Sequence, residues 1–221
     1  MQADIRWKPF VFFSGFLTLV LSGIVCFYGS EPAFLWVNQN LTPPLGQAAR
    51  GFSFLGESFS MGILLILSFW KEVRKTILIA LVWLIGACYS WIFKLWIFKG
   101  LARPFEYFGK KHVTIQLVEG VKVLHFNSFP SGHTLTAFSA AFLAIHLFPK
   151  IAFRYQGVLV ICATLCGLSR VVLAQHWLLD VAGGIFLGTL AFFTGRFLLS
   201  PLKNNPSLDK PLIELIRNKK D

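Results

Sequence analysis

Apolar runs long enough to cross a lipid bilayer recur along this chain, and nothing else in the sequence restricts its fold as much. A helix needs about 20 consecutive apolar residues to span the hydrocarbon, and inside lipid each backbone polar group must be satisfied within the segment itself. Six runs are expected to do this: 10–29 (FVFFSGFLTLVLSGIVCFYG), 52–70, 76–98 (TILIALVWLIGACYSWIFKLWIF), 132–148, 156–174 and 177–199. Hydrophobic residues make up 55% of the 221, and charged residues only 14%. Soluble domains carry about 25% charged residues, so the bilayer is the expected solvent. The fold expected is all-α, a polytopic membrane protein with six transmembrane helices in one domain covering 1–221. Two of the runs have flaws. Gly56, Glu57, Ser58 and Ser60 interrupt the second. Arg6 and Lys8 precede the first as they would a secretory leader, but the run is long and no small-x-small cleavage site follows, so it is read as a span.

The formal charge of +11 raises the possibility of a nucleic-acid partner, and its distribution argues against one. Lys and Arg sit in turns between apolar runs and in the tail, where the positive-inside rule places them, and not on one soluble face. Taking Arg6/Lys8, Lys71/Arg74/Lys75, Lys150/Arg154 and the Arg196-to-Lys220 tail as cytoplasmic puts both termini inside. The charged tail, 200–221, is then cytoplasmic. The segment 30–51, the long loop 99–131 and the turn near 175 are left outside. Cys26, Cys88, Cys162 and Cys166 all fall in apolar runs and read as small buried hydrophobes. Cys162 and Cys166 lie one helical turn apart, but no His or further Cys beside them completes a metal site.

Three polar clusters stand out from the apolar background: KLWIFKGLARP at 94–104, PSGH at 130–133 and SRVVLAQHWLLD at 169–180. On the topology above, all three lie at one membrane face, where charge is costly and usually functional. Pro130 and Ser131 begin a helix whose first N–H groups have no partner. That terminus can hold an anion, helped by the Ser131 hydroxyl and by Gly132, which lets the anion approach the backbone. His133 lies in the first turn. His176 and Asp180, four apart, share one face of the last helix, where the carboxylate can fix the imidazole tautomer and raise the basicity of its other nitrogen. Arg103 and Arg170 bring planar forks suited to phosphate oxygens. Together these supply a nucleophile with its orienting acid, a second histidine for proton transfer, and cations for a phosphoryl group.

PSGH, then Ser169-Arg170, five residues, His176, three residues and Asp180, all preceded by Arg103-Pro104, resembles the type 2 phosphatidic acid phosphatase superfamily, over about residues 94–184. Its membrane members have six helices and remove phosphate from lipids. The resemblance implies that His176 is the nucleophile that forms a phosphohistidine, Asp180 its partner, and His133 the acid that protonates the leaving oxygen and later activates water. It also implies that Arg103, Ser131, Gly132 and Arg170 hold the phosphate, with no metal ion or other cofactor. The family's first motif has Lys, six residues, then Arg-Pro, and that count falls on Trp96 here. Lys94 fits with two extra residues and Lys99 with three fewer. The smaller change favours Lys94, and Lys99 stays open.

The expected substrate is a phosphorylated membrane lipid, and the expected location a bacterial inner membrane with the site facing the periplasm or cell exterior. The 106–129 stretch looks like that of bacterial members acting on lipid A or undecaprenyl diphosphate; phosphatidylglycerol phosphate and phosphatidic acid remain open. A phosphotransferase passing the phosphoryl group from His176 to a second lipid would use the same residues. A non-catalytic binder or transporter would instead spread its polar groups through the bilayer. With His133 protonated and His176 neutral in the first step, activity is expected to fall on both sides of an optimum near pH ~6–7.

Overall fold

The computed structural model describes residues 7–149, 153–202 and 204–217, and among them it is all-helical, without strands. Arg6, Lys150 and the last residues of the basic tail, which entered the topology expectation, lie outside the described residues. Helix α1 (Lys8–Tyr28) carries Pro9 in its first turn and stops at Gly29, whose φ of 84° lets the chain turn at once into α2 (Ser30–Gln39). Thr42 caps α3 (Pro43–Ser53), its hydroxyl accepting from the Leu45 N–H. The 30–51 segment is therefore two ordered helices. A tight turn over Phe54–Gly56 and an extended Glu57 separate α3 from α4 (Ser58–Ser68), and the two meet at a bend of 44°.

That bend changes the expected second span. The polar residues at 56–60 break the run, and its continuation is α3 and α4 together rather than one straight helix over 52–70. Helices α5 (Val73–Ile92, extended by a π-helical turn Phe93–Ile97), α8 (Phe153–Val172) and α9 (Leu178–Leu199), with α1, are long and apolar enough to cross a membrane. Counting the bent pair makes five. The sixth expected span is α7 (Gly132–Leu147), which at 1.5 Å per residue is roughly 24 Å long, short of the hydrocarbon thickness. The 99–131 loop carries a short helix, α6 (Pro104–Lys110), and the described part of the tail carries α10 (Leu212–Arg217).

Helix α9 is the hub, packed by α1, α5, α7 and α8. Its Phe192 stacks on Phe142 of α7 at 5.0 Å, and Phe10 of α1 meets Phe142 edge-on at 4.2 Å. Close approach of α7 to α9 depends on Gly184 and Gly188, one turn apart, because a Cβ there would stand 2.7 Å from the Ser131 carbonyl oxygen and 2.6 Å from that of Leu135. The outer faces carry exposed Phe12, Leu19, Phe27, Leu84, Phe186 and Phe197, an apolar girdle that suits lipid. Cys26 and Cys88 lie on the exposed surface and only Cys166 is fully buried, which revises the expectation for the thiols. At one end of the bundle Arg74 donates to the Leu202 and Asn205 carbonyls and pairs with Asp209, tying the tail to the α4–α5 turn.

Gly188→Ala is expected to cost about 1–3 kcal/mol, because the contact is with rigid backbone. Gly62→Ala, with nothing within 4 Å of its Cβ, is expected to leave stability unchanged or slightly raised. Unfolding midpoints of the two purified variants in the same detergent check the contrast.

Candidate active site

At the end of the bundle opposite the Arg74 cluster, the α5 terminus, the start of α7 and the α8–α9 turn converge. The turn is made by Ala174, held at φ 54°, with the N–H groups of Gln175 and His176 donating back to the Arg170 carbonyl at 2.9 and 3.1 Å. His176 therefore stands before α9, not on its face as the four-residue spacing suggested, because the helix begins only at Leu178. Asp180 reaches back from the first turn to join it. One oxygen, Oδ2, accepts from the Trp177 N–H at 2.9 Å, from His176 Nδ1 at 3.1 Å and from the Ser128 hydroxyl at 2.5 Å. A carboxylate accepts only, so Nδ1 carries the proton and Nε2 presents its lone pair.

Arg103 faces that lone pair. Its Nη1 lies 3.3 Å from His176 Nε2 and donates to the Gln175 carbonyl at 2.7 Å, while Nε donates to the Phe126 carbonyl at 2.9 Å. The Arg103 backbone N–H donates to the His125 carbonyl and Nη2 to the Asn127 carbonyl at 3.4 Å, so the end of the long loop holds both the backbone and the guanidinium of Arg103. Burial, opposed by Asp180, pulls Arg103 down to about 10, which leaves it a cation at neutral pH. Burial also pushes His176 down to about 3, against the pull of Asp180 and with Arg103 and Lys94 adding to the shift. The buried imidazole is thus held neutral.

Ser131 caps α7, its oxygen accepting from the Thr134 N–H at 3.4 Å and hydroxyl at 2.8 Å, and its own N–H donates to the Asp180 carbonyl at 3.0 Å. This joins the first turns of α7 and α9. A Cβ on Gly132 would stand 3.6 Å from Lys94 Nζ, so the ammonium lies over the glycine. The π-helical turn that carries Lys94, closed by Phe98 N–H donating to the Phe93 carbonyl at 2.8 Å, takes up extra chain between Lys94 and Arg103. Lys99 lies on the exposed turn that follows. Arg170 is buried, bonds the Ser53 hydroxyl through Nη1 and leaves Nε without a partner among the described residues. Its charge reaches Lys94, Arg103 and His133. His133 Nε2 pairs with Glu57 Oε1 at 3.0 Å.

The site residues foreseen from sequence are therefore gathered at one end, with Lys99 at that end on the exposed turn and Lys94 over Gly132. Ser128, Ser53, Gln175 and Glu57 were not foreseen as partners. Each comes from a segment distant in sequence or carries no local pattern, except Glu57, whose position inside an apolar run was the available signal.

Residues 75–199, more than half of the chain, match the PAP2 superfamily. Phosphatidylglycerophosphatase B of Bacillus subtilis (strain 168) is 30% identical over 168 residues, 68% of this chain and 73% of that protein. Lipid A 1-phosphatase of Rhizobium etli is 43% identical over 65 residues, 28% of this chain and 25% of its own length. The crystal structure of a transmembrane PAP2 type phosphatidylglycerolphosphate phosphatase from Bacillus subtilis covers 90% of this chain and 99% of its own at 25% identity, with a TM-score of 0.60. A helical membrane bundle with this arrangement and these relatives is a phosphoric ester hydrolase of the lipid phosphatase kind. The chain belongs to the PAP2 superfamily.

In protein labelled with ¹⁵N-histidine, the His176 ring is expected to keep the shifts of a neutral Nδ1–H tautomer from pH 8 down to about pH 5. A lowered value means the neutral form is present above about 3 and lost only as pH falls through it. Protonation near pH 6.5 would contradict this.

Proposed function

We propose that the protein hydrolyses a phosphate monoester or diphosphate of an envelope lipid through a phosphohistidine on His176. The observation that carries this reading is the Asp180–His176–Arg103 line: Nδ1 is engaged by the carboxylate, and Nε2 is turned toward the guanidinium that would hold the phosphoryl oxygens. The Nε2 lone pair attacks phosphorus in line, forming a P–N bond as the P–O bond to the lipid breaks. His133 gives its proton to the leaving oxygen. It then takes a proton from water, whose oxygen attacks phosphorus, breaks the P–N bond and releases inorganic phosphate with His176 neutral again.

Arg103, the spare Nε of Arg170, Lys94 and the α7 N-terminus at Ser131 and Gly132 would supply positive charge around the phosphoryl group. Without a metal ion, that charge is what stabilises transfer. Beside Asp180 a cavity of about 930 Å³ has walls of Pro32, Leu35, Phe98, Leu101 and Phe129, room of the right polarity for a lipid chain. The basic α4–α5 turn and the tail residues it binds lie at the opposite end, and the positive-inside rule then supports a site facing the periplasm or cell exterior of a bacterial inner membrane; on this reading the bent α3–α4 pair is a fifth crossing and α7, short for the hydrocarbon, a sixth that the bilayer thins to meet. A phosphatidylglycerophosphatase relative spanning most of the chain supports phosphatidylglycerol phosphate as the first substrate to try, followed by lipid A, undecaprenyl diphosphate and phosphatidic acid.

Purified protein is expected to release inorganic phosphate from at least one of these four lipids, and His176→Ala to lose at least about 10³-fold. Alkaline quench with ³²P-labelled lipid is expected to trap label on His176 of the wild type. Phosphorylated acceptor lipid in place of free phosphate would identify a phosphotransferase. Because His176 stays neutral in acid, the acid-side fall in kcat/KM is expected below about pH 5, lower than a free imidazole would place it. An acid limb that falls to half near pH 6.5 in single turnover would count against His176 as the attacking group.

A further inference from the structure

At the break between α3 and α4 the chain interrupts an apolar run with Glu57, and the fold directs that carboxylate at His133. Oε1 of Glu57 lies 3.0 Å from His133 Nε2. The approach is built in at the backbone, because a Cβ on the preceding Gly56 would stand 2.6 Å from both the Cβ and the carbonyl oxygen of His133. Only glycine lets the bend lie against the first turn of α7. A cavity of about 220 Å³ opens beside the pair, lined by Glu57, Ser58, Ser90, Gly132 and His133. The other charges acting on His133 are cations, Arg170 from α8 and Lys94 from the end of α5, so Glu57 is the anion that faces it among the described residues.

We infer that Glu57 is a positioning residue that holds His133 as a proton donor and thereby sets how poor a leaving group the enzyme can expel. A neutral imidazole between two fixed cations is a weak acid catalyst, since it must first acquire a third positive charge. A carboxylate at hydrogen-bond distance offsets that charge and orients the ring. The proton matters most where the departing oxygen is an alkoxide, as in a lipid phosphate monoester. It matters little where the departing oxygen is a phenolate, which leaves without being protonated. The carboxylate therefore directs the site toward alkyl monoesters. This rests on His133 as the acid of the proposed mechanism.

The test compares kcat/KM for phosphatidic acid in mixed micelles with kcat/KM for p-nitrophenyl phosphate, in the wild type, Glu57→Gln, Glu57→Ala and His133→Asn. Glu57→Gln is expected to lose about 10- to 100-fold on the alkyl ester and less than about threefold on the aryl ester, mostly in kcat. Glu57→Ala should give the same pattern, with unfolding midpoints near the wild type. Equal losses on the two esters, or no loss, overturn the inference. If His133→Asn loses selectively on the alkyl ester while Glu57→Gln does not, Glu57 alone is misassigned. If His133→Asn keeps the wild-type rate on the alkyl ester, the mechanism beneath the inference fails instead.

Discussion

One carboxylate oxygen holds this site together. Oδ2 of Asp180 collects donors from the turn before α9, from that helix's own N-terminus and from the end of the 99–131 loop, and the Asp180 carbonyl takes the N–H of Ser131 from α7. A buried carboxylate is tolerable only when its lone pairs are met, and here each donor that meets them is also a part of the site. The same bonds that satisfy the carboxylate fix the His176 tautomer and seat the loop that holds Arg103, while the residue's backbone carbonyl registers α7 against α9. Loss of the carboxylate would therefore disturb placement as well as charge.

The fold places its cations by a related economy. Polar groups are costly within the apolar girdle, and helix ends are where the chain can supply them with backbone partners. Arg103 is held by carbonyls of the 125–127 segment and of Gln175, and Arg170 turns its backbone carbonyl to the His176 turn while its side chain meets Ser53. Lys94 is brought over Gly132 by a π-helical turn, a local irregularity that brings a charged group into place without moving the span behind it. Glycines at 184 and 188 let α7 approach α9 closely enough for the two first turns to share a hydrogen bond.

Much of the site was legible before the fold was known, because PSGH and the Ser169–Asp180 segment compress it into two short stretches whose spacing is set by local backbone. What spacing misjudged was the mechanism of meeting. His176 and Asp180 suggested two positions on one helix face, whereas they meet across a helix start, with the carboxylate reaching back as a cap does. The Lys94 and Lys99 alternatives could not be separated by counting, since a π-helical turn changes the number of residues per turn without any mark in composition. The straight second span failed at Gly56 and Glu57, where polar residues that visibly interrupt the apolar run mark a break whose 44° angle only packing sets.

By itself the sequence determined an all-helical membrane body and singled out the polar groups that gather at one end of it, because hydropathy over about 20 residues and short motif spacings are local properties. Only the tertiary structure decided that Ser128 and Trp177 share the oxygen that orients His176, that Lys94 rather than Lys99 lies over Gly132, and that Glu57 faces His133. Those pairings join segments separated by tens of residues. Their geometry is set by how closely helices pack and where they bend, and no local pattern encodes it.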